Sequence, residues 1–380
     1  MRNPQSPLVV MVAGEASGDQ HGAHLIRELG RRYSELRVVG VGGRAMLAAG
    51  ARIVKPADQL AVVGVTEVLA KIPCLLSAMT ELKRLLAREK PDLLILIDFP
   101  DFNLHLAATA KHLGVPVLYY ISPQIWAWRA RRVRKIKARV DHMAVILPFE
   151  KDFYTRHGVP VSFVGHPLMD AADSAAPPPP GDRPPVIGLF PGSRDREVSR
   201  LLPEMLRGAA ILQRSMRNLQ FVVSRAPTIA PAMIENIVHQ AGLPQTGITD
   251  EPVCALFKRC RLAVAASGTV TLEAALGCTP MVITYRVSPL SYLLGRLMIK
   301  VEHIGLVNLI AGRRLVPELV QHQVTGKEIA RQVHSLLSDP GVYDHVCAGL
   351  LDVRRKLGSA GASRRVVELA CSLMEKPHAV

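Results

Sequence analysis

Leu93-Leu94-Ile95-Leu96-Ile97-Asp98-Phe99-Pro100-Asp101-Phe102-Asn103 decides how the first half of this chain is read. Five consecutive branched apolar residues predict a strand buried on both faces, and an acid follows at its carboxyl tip. A strand of that kind belongs to a parallel sheet covered by helices. Working outward, short runs at Leu8–Val12, Leu36–Val41, Val115–Ile121 and His142–Leu147 alternate with helical patterns such as His21–Tyr33 and Leu75–Arg88. Residues 1–170 therefore read as a doubly wound α/β domain.

Ala171–Pro185 (AADSAAPPPPGDRPP) interrupts the rhythm and reads as a semi-rigid Pro-rich linker, residues 171–185. The alternation restarts with Val186–Phe190, Phe221–Ser224, Leu262–Ala266 and Met281–Tyr285. A second Rossmann-like domain over 186–345 follows, leaving 346–380 as a C-terminal helical segment. Two such domains predict a cleft, with ligands beyond the carboxyl ends of the strands.

Composition narrows the function. The 380 residues leave room for two cores, and 49% hydrophobic with 21% charged residues excludes wholesale disorder. An aromatic content of 4% argues against a β-sandwich or a base-stacking surface. The net charge of +15 is shared by both halves and asks for an anionic partner: nucleic acid, an acidic membrane or a phosphorylated substrate. Six scattered cysteines without a Cys-x-x-Cys pair read as reduced residues of a cytosolic protein. The Leu8–Val12 run is too short for a signal peptide, and no uncharged apolar stretch reaches 18 residues, so membrane contact is expected to be peripheral.

The second half carries an anion site. The strand ending at Ala266 runs into Ser267-Gly268-Thr269, where a glycine turn and the exposed amides of a new helix suit phosphate. Glu273, one turn in, suits the two hydroxyls of a ribose. A capping box would need Ser or Thr at Val270, so the site reads as a nucleoside diphosphate pocket rather than a capped helix. Pro191-Gly192-Ser193-Arg194 ends another strand, and a cation at a helix start opposes the dipole unless an anion is present.

The first half reads as the acceptor side. Gly14-Glu15-Ala16-Ser17-Gly18-Asp19 does not make G-x-G-x-x-G, and Val41-Gly42-Gly43 lacks the acid that a dinucleotide ribose needs, which excludes a nicotinamide dehydrogenase. Asp98 stands where a general base belongs, with Asp101 as competitor. His21 and His24 have no third ligand near them, so neither a metal nor a cofactor is expected. Arg129–Arg139 packs seven basic residues into eleven positions, among them Arg131, Arg132, Arg134 and Lys135, and suits acidic headgroups. Val68, Leu69, Ile72, Leu75 and Leu76 form an apolar stretch that could enter the lipid surface. No recognition motif or aromatic platform supports nucleic acid.

Taken in order, these segments resemble the lipid-A-disaccharide synthases, inverting glycosyltransferases of the GT-B fold. The motifs are Gly14–Asp19, Asp98–Asn103, Tyr120–Arg129, Leu147-Pro148-Phe149-Glu150, Val164-Gly165-His166-Pro167, Pro191–Arg194, Ala266–Thr269 with Glu273, and Asn308–Gly312. The resemblance implies transfer of 2,3-diacylglucosamine from its UDP conjugate to 2,3-diacylglucosamine 1-phosphate. It implies Asp98 as base or acceptor-orienting group, Glu15, Ser17, Asp101 and Asn103 on the acceptor side, and Arg194, Ser267, Gly268, Thr269, Glu273 and Asn308 around UDP. Val307 stands where the family commonly has Pro. A peripheral homodimer at the cytosolic face of the inner membrane is also implied. The readings it competes with are a UDP-GlcNAc epimerase, a peptidoglycan transferase and a non-catalytic basic adaptor.

Overall fold

The computed structural model describes residues 6–60, 65–128, 130–171, 183–298 and 302–375. The chain divides into two compact units, 1–170 together with 358–380, and 171–357.

The sheet of the first unit contains β1 (Leu8–Ala13), β2 (Arg37–Gly42), β3 (Arg52–Pro56), β4 (Leu93–Ile97), β5 (Val117–Tyr120), β6 (His142–Val145) and β7 (Val161–Phe163). Its order is β3-β2-β1-β4-β5-β6-β7, with parallel pairing throughout. Strand side chains alternate between faces. Val10, Val12, Leu94 and Leu96 pack with the helices Val65–Glu89, Pro100–His112 and Val133–Arg139. Val9, Met11, Ile95 and Ile97 pack on the opposite face with Ala16–Arg32 and Ala362–Glu375. Each fully buried Leu, Ile or Val contributes about 1.5–3 kcal/mol, which is why the central strands read as unbroken apolar runs.

The second unit repeats the plan. Its sheet holds β8 (Val186–Phe190), β9 (Gln220–Ser224), β10 (Gly247–Thr249), β11 (Leu262–Ala266), β12 (Met281–Tyr285) and β13 (Glu318–Val320), in the order β10-β9-β8-β11-β12-β13. Both sheets reverse strand order at one point, between β1 and β4 and between β8 and β11. Ligand crevices in such sheets form there, beyond the carboxyl ends.

The structure adds three things to the sequence reading. The strands absent from it, β3, β7, β10 and β13, are all sheet edges, where one side lacks a neighbour and the apolar run shortens. The segment expected at 346–380 is divided. Pro340–Lys356 stays in the second unit, and Ala362–Glu375 returns to the first, burying Val366, Val367, Ala370 and Cys371 against its sheet. Asp170 Oδ1 holds the start of that helix, accepting from the Gly361 and Ala362 amides at 2.6 and 3.2 Å. Finally, the expected linker contributes a buried side chain. Residues 172–182 lie outside the described set, but Arg183 is buried, donating to Cys260 O, Thr279 Oγ1 and Gly277 O at 3.2, 2.8 and 2.7 Å.

All six cysteines are free thiols, four of them buried. Among the described residues no helix is long and apolar enough to cross a membrane.

Candidate active site

In the first unit, register fixes the site. Ala13 pairs with Ile97, so the residues after β1 and β4, Gly14-Glu15 and Asp98-Phe99, emerge side by side at the switch point. Asp98 and Phe99 both adopt left-handed backbone, at φ +46° and +50°, and Ile121 after β5 does so at +61°. Non-glycine residues there are strained by about 1–3 kcal/mol each, so the surroundings must hold them. Three groups do. The Asp98 carbonyl accepts from Asn103 Nδ2 and Tyr119 Oη, both at 2.6 Å, and its amide donates to Tyr120 O at 3.1 Å. Gly14 supplies space: a Cβ there would collide with the Phe99 ring.

The Asp98 carboxyl is consequently pushed up from its usual range to about 6. Burial is the largest cause, the nearby Glu15 charge adds to it, and a hydrogen bond from the Phe99 backbone acts in the opposite direction. An acid titrating near neutrality at a strand tip suits proton abstraction. Glu15 begins the Ala16–Arg32 helix without capping it, and both Glu15 and Ser17 are exposed.

Two acceptor-side expectations change. Asn103 is fully buried and bonds the Ile97 and Asp98 carbonyls, so it shapes the Asp98 turn instead of presenting its amide to a ligand. Asp101 is exposed and paired with Arg132, which separates it from the buried carboxyl position of Asp98. Asp19, Glu150 and His166 were not assigned roles from sequence. Asp19 accepts from the Gly43, Ala45 and Met46 amides and fixes the loop after β2. Buried Glu150 accepts from Leu147 N and Trp126 Nε1, each at 3.1 Å, and burial lifts its carboxyl to about 7. His21 and His166 are both depressed to about 4, chiefly by burial, and so are neutral imidazoles near pH 7. Among the described residues no three His, Cys, Asp or Glu side chains converge as metal ligands.

In the second unit, Phe190 pairs with Ala265, so Pro191–Arg194 and Ser267–Thr269 emerge together at its switch point. The Thr269–Leu276 helix begins without a side-chain cap, and the space before Gly268 is open, with nothing within 4 Å of an added Cβ. Ser267 and Glu273 are half-buried and Thr269 is exposed. Burial raises the Glu273 carboxyl, and among the described residues no hydrogen bond or ion pair occupies it. An uncapped helix start beside an unengaged carboxylate can bind phosphate and hydroxyl groups.

Arg194 and Asn308 depart from expectation. Arg194 bonds Glu197 Oε1 at 3.1 Å, so the conflict of a cation at a helix start is met locally without a ligand. Asn308 is fully buried with both ends of its amide occupied. Nδ2 donates to Val316 O and Glu318 Oε1 at 2.9 and 2.7 Å, and Oδ1 accepts from Leu315 N and Val316 N at 2.8 and 3.0 Å. Its role in this structure is to brace the backbone. Glu318, from edge strand β13, also accepts from Ile304 N and Gly305 N at 2.9 and 3.0 Å. No local sequence signal marks Glu318.

The expected membrane residues are spread along the Val65–Glu89 helix, the 3-10 turn Ala130–Arg132 and the Val133–Arg139 helix. Ile72 and Leu76 are 39% and 62% exposed, whereas Leu75 packs against the core. Val68 and Leu69 lie on the same helix, but their side chains are outside the described set. Arg131, Arg134 and Lys135 are exposed, and Arg132 is engaged by Asp101.

Comparison with known proteins identifies the family of the chain. The family model described as "Lipid-A-disaccharide synthetase" matches residues 9–347. The lipid-A-disaccharide synthase of Geobacter metallireducens is 46% identical over 377 residues, covering 97% of each chain. The chain belongs to the lipid-A-disaccharide synthase family. That of Nitrosococcus oceani is 44% identical over 97% of both chains, and that of Coxiella burnetii 39% over 96% of this chain and 98% of the other. Membership makes the protein a glycosyltransferase of lipid A biosynthesis. Solved structures share its fold. The calicheamicin glycosyltransferase CalG4 superimposes with TM-score 0.63 at 16% identity, covering 97% and 99%. The S. aureus MnaA–UDP structure does so with 0.65 at 13%, covering 98% and 100%. The chain thus shares its two-sheet GT-B architecture with these proteins, and it is the sequence match that fixes its family.

Proposed function

We propose that this synthase transfers 2,3-diacylglucosamine from its UDP conjugate to O6 of 2,3-diacylglucosamine 1-phosphate. The products are the β-1,6-linked disaccharide 1-phosphate and UDP, formed in one inverting displacement. The observation that carries the reading is Asp98, a carboxylate raised to about 6 on a strained turn at the β4 tip. In the reaction its carboxylate takes the acceptor hydroxyl proton as O6 attacks the anomeric carbon and the bond to UDP breaks. On the donor side, the Ser267–Thr269 helix start and Arg194 stabilise the diphosphate charge, which suits a metal-independent transfer. Glu273 takes the ribose hydroxyls.

The partners follow from the same reading. The acylated substrates place the enzyme at the cytosolic face of the inner membrane, and the family resemblance adds a homodimer with exchanged C-terminal segments and no nucleic-acid partner. Exposed Ile72 and Leu76 share one sheet face with the cationic Val133–Arg139 helix, which supports lipid contact on that face. Incubating the enzyme with each candidate donor and 2,3-diacylglucosamine 1-phosphate tests the reading. UDP-2,3-diacylglucosamine is expected to yield UDP and a β-configured disaccharide by NMR. Equal turnover of UDP-GlcNAc, or an α product, would refute it.

A further inference from the structure

We propose that Glu150 is a positioning residue for acceptor binding: from the start of the Pro148–Arg156 helix it holds residues 121–132 as a wall beside Asp98, against which the acceptor sugar lies. The acceptor meant is the 2,3-diacylglucosamine 1-phosphate of the transfer reading above, on which this role rests.

The wall begins and ends on the Asp98 turn. Tyr120, the last residue of β5, accepts from the Asp98 amide at 3.1 Å, and Ile121 then turns away in left-handed backbone at φ +61°. A short helix, Ile125–Trp128, and the 3-10 turn Ala130–Arg132 follow. Arg132 pairs with Asp101, in the first turn of the Pro100–His112 helix. Between those ends Ile125 and Ala127 are buried, whereas Gln124 and Trp128 are exposed. An amide and an indole suit the hydroxyls and the apolar face of a sugar ring.

A helix of one turn does not hold itself together. Its support comes from one face of the Pro148–Arg156 helix, where Glu150 and Tyr154 lie four residues apart. Glu150 Oε1 accepts from Trp126 Nε1 at 3.1 Å, and Tyr154 Oη shares a 2.7 Å hydrogen bond with Ser122 Oγ. The Phe149 ring meets the Trp126 indole edge-on, with centroids 4.8 Å apart.

Helix capping alone does not account for Glu150. Its Oε2 accepts from Leu147 N at 3.1 Å and completes the cap, which a partly exposed acid does equally well. Glu150 is instead 1% exposed, and among the described residues no cation pairs with it. A buried carboxylate is costly unless its oxygens are engaged. The second oxygen is engaged by the wall, 24 residues earlier in the chain, through a charge-assisted bond.

Steady-state kinetics of the full-length enzyme test this role, with UDP-2,3-diacylglucosamine and 2,3-diacylglucosamine 1-phosphate each varied while the other saturates. Glu150→Leu is expected to raise the acceptor KM about tenfold and the donor KM less than about twofold. Glu150→Gln keeps an oxygen for the indole and is expected to stay within about threefold of the wild type. Trp126→Phe removes the tether but leaves the Leu147 cap in place, so it separates positioning from folding; its acceptor KM is expected to rise about fivefold. The two tryptophans of the chain, Trp126 and Trp128, both lie in the wall, so their emission reports on it directly. Adding 2,3-diacylglucosamine 1-phosphate is expected to shift that emission, and adding UDP is not. Donor and acceptor KM rising together in Glu150→Leu and Trp126→Phe, an acceptor KM untouched in both, or an emission blind to the acceptor overturns the role of Glu150. With normal wild-type turnover, those results leave the transfer reading standing. Wild-type enzyme that forms no disaccharide refutes both.

Discussion

The two sheets end differently at their switch points. In the first unit the carboxyl rim is crowded and strained: consecutive left-handed residues, a glycine filled by Phe99, and a carboxylate lifted by burial and by Glu15. The rim of the second unit is open, with free space before Gly268 and an uncapped helix. Strain and desolvation tune a proton acceptor, whereas open amides receive an anion. One architecture, used twice, therefore ends in two different rims because the loops beyond the strands differ.

The largest break in that contrast is Asp98→Asn. Turnover is expected to fall by about 10²–10⁴, with UDP affinity retained in calorimetry, while Asp101→Asn keeps most activity. Reversal of that order would move the base to Asp101. Next comes Asn308→Ala, which strands the buried Leu315 and Val316 amides. A loss of about 3 kcal/mol in denaturant unfolding is expected, and an unchanged stability with weaker UDP binding would return Asn308 to the donor site. Glu273→Gln should weaken UDP binding about tenfold with little change in stability. Arg194→Ala should do less, because Glu197 already engages that guanidinium.

A pH profile sharpens the first rim. As the proposed base, Asp98 would act only when ionised, so kcat/KM is expected to rise with pH and level above about 6. Glu15→Gln removes a charge that raises the Asp98 carboxyl, so the acid limb moves to lower pH. The move is smaller than the whole displacement, because burial is the larger cause. An acid limb unmoved by Glu15→Gln would detach the two carboxylates. The smallest expected effect is that of chelation: turnover in excess EDTA should equal that without it, and loss restored by a divalent ion would show a metal requirement.

The strand–turn–helix that carries Ser267, Gly268, Thr269 and Glu273 was legible from sequence, because local order is written in contiguous residues. The backbone-bracing bonds of Asn308 were not legible, for the opposite reason. Its partners arrive from Val316 and Glu318, and only the closing of β13 onto β12 brings them to it. Arg183 lay in a Pro-rich stretch read as a semi-rigid linker, yet its guanidinium finds carbonyls 77 and 94 residues away.

By itself the sequence determined two parallel sheets, their central strands and the acid at the β4 tip, because apolar runs and chain breakers act over a few neighbouring residues. Only the tertiary structure decided which strands form the edges, that Ala362–Glu375 returns to the first unit, and which polar side chains meet a ligand and which meet the backbone. Those outcomes depend on burial and hydrogen-bond partners from distant segments, which no local pattern encodes.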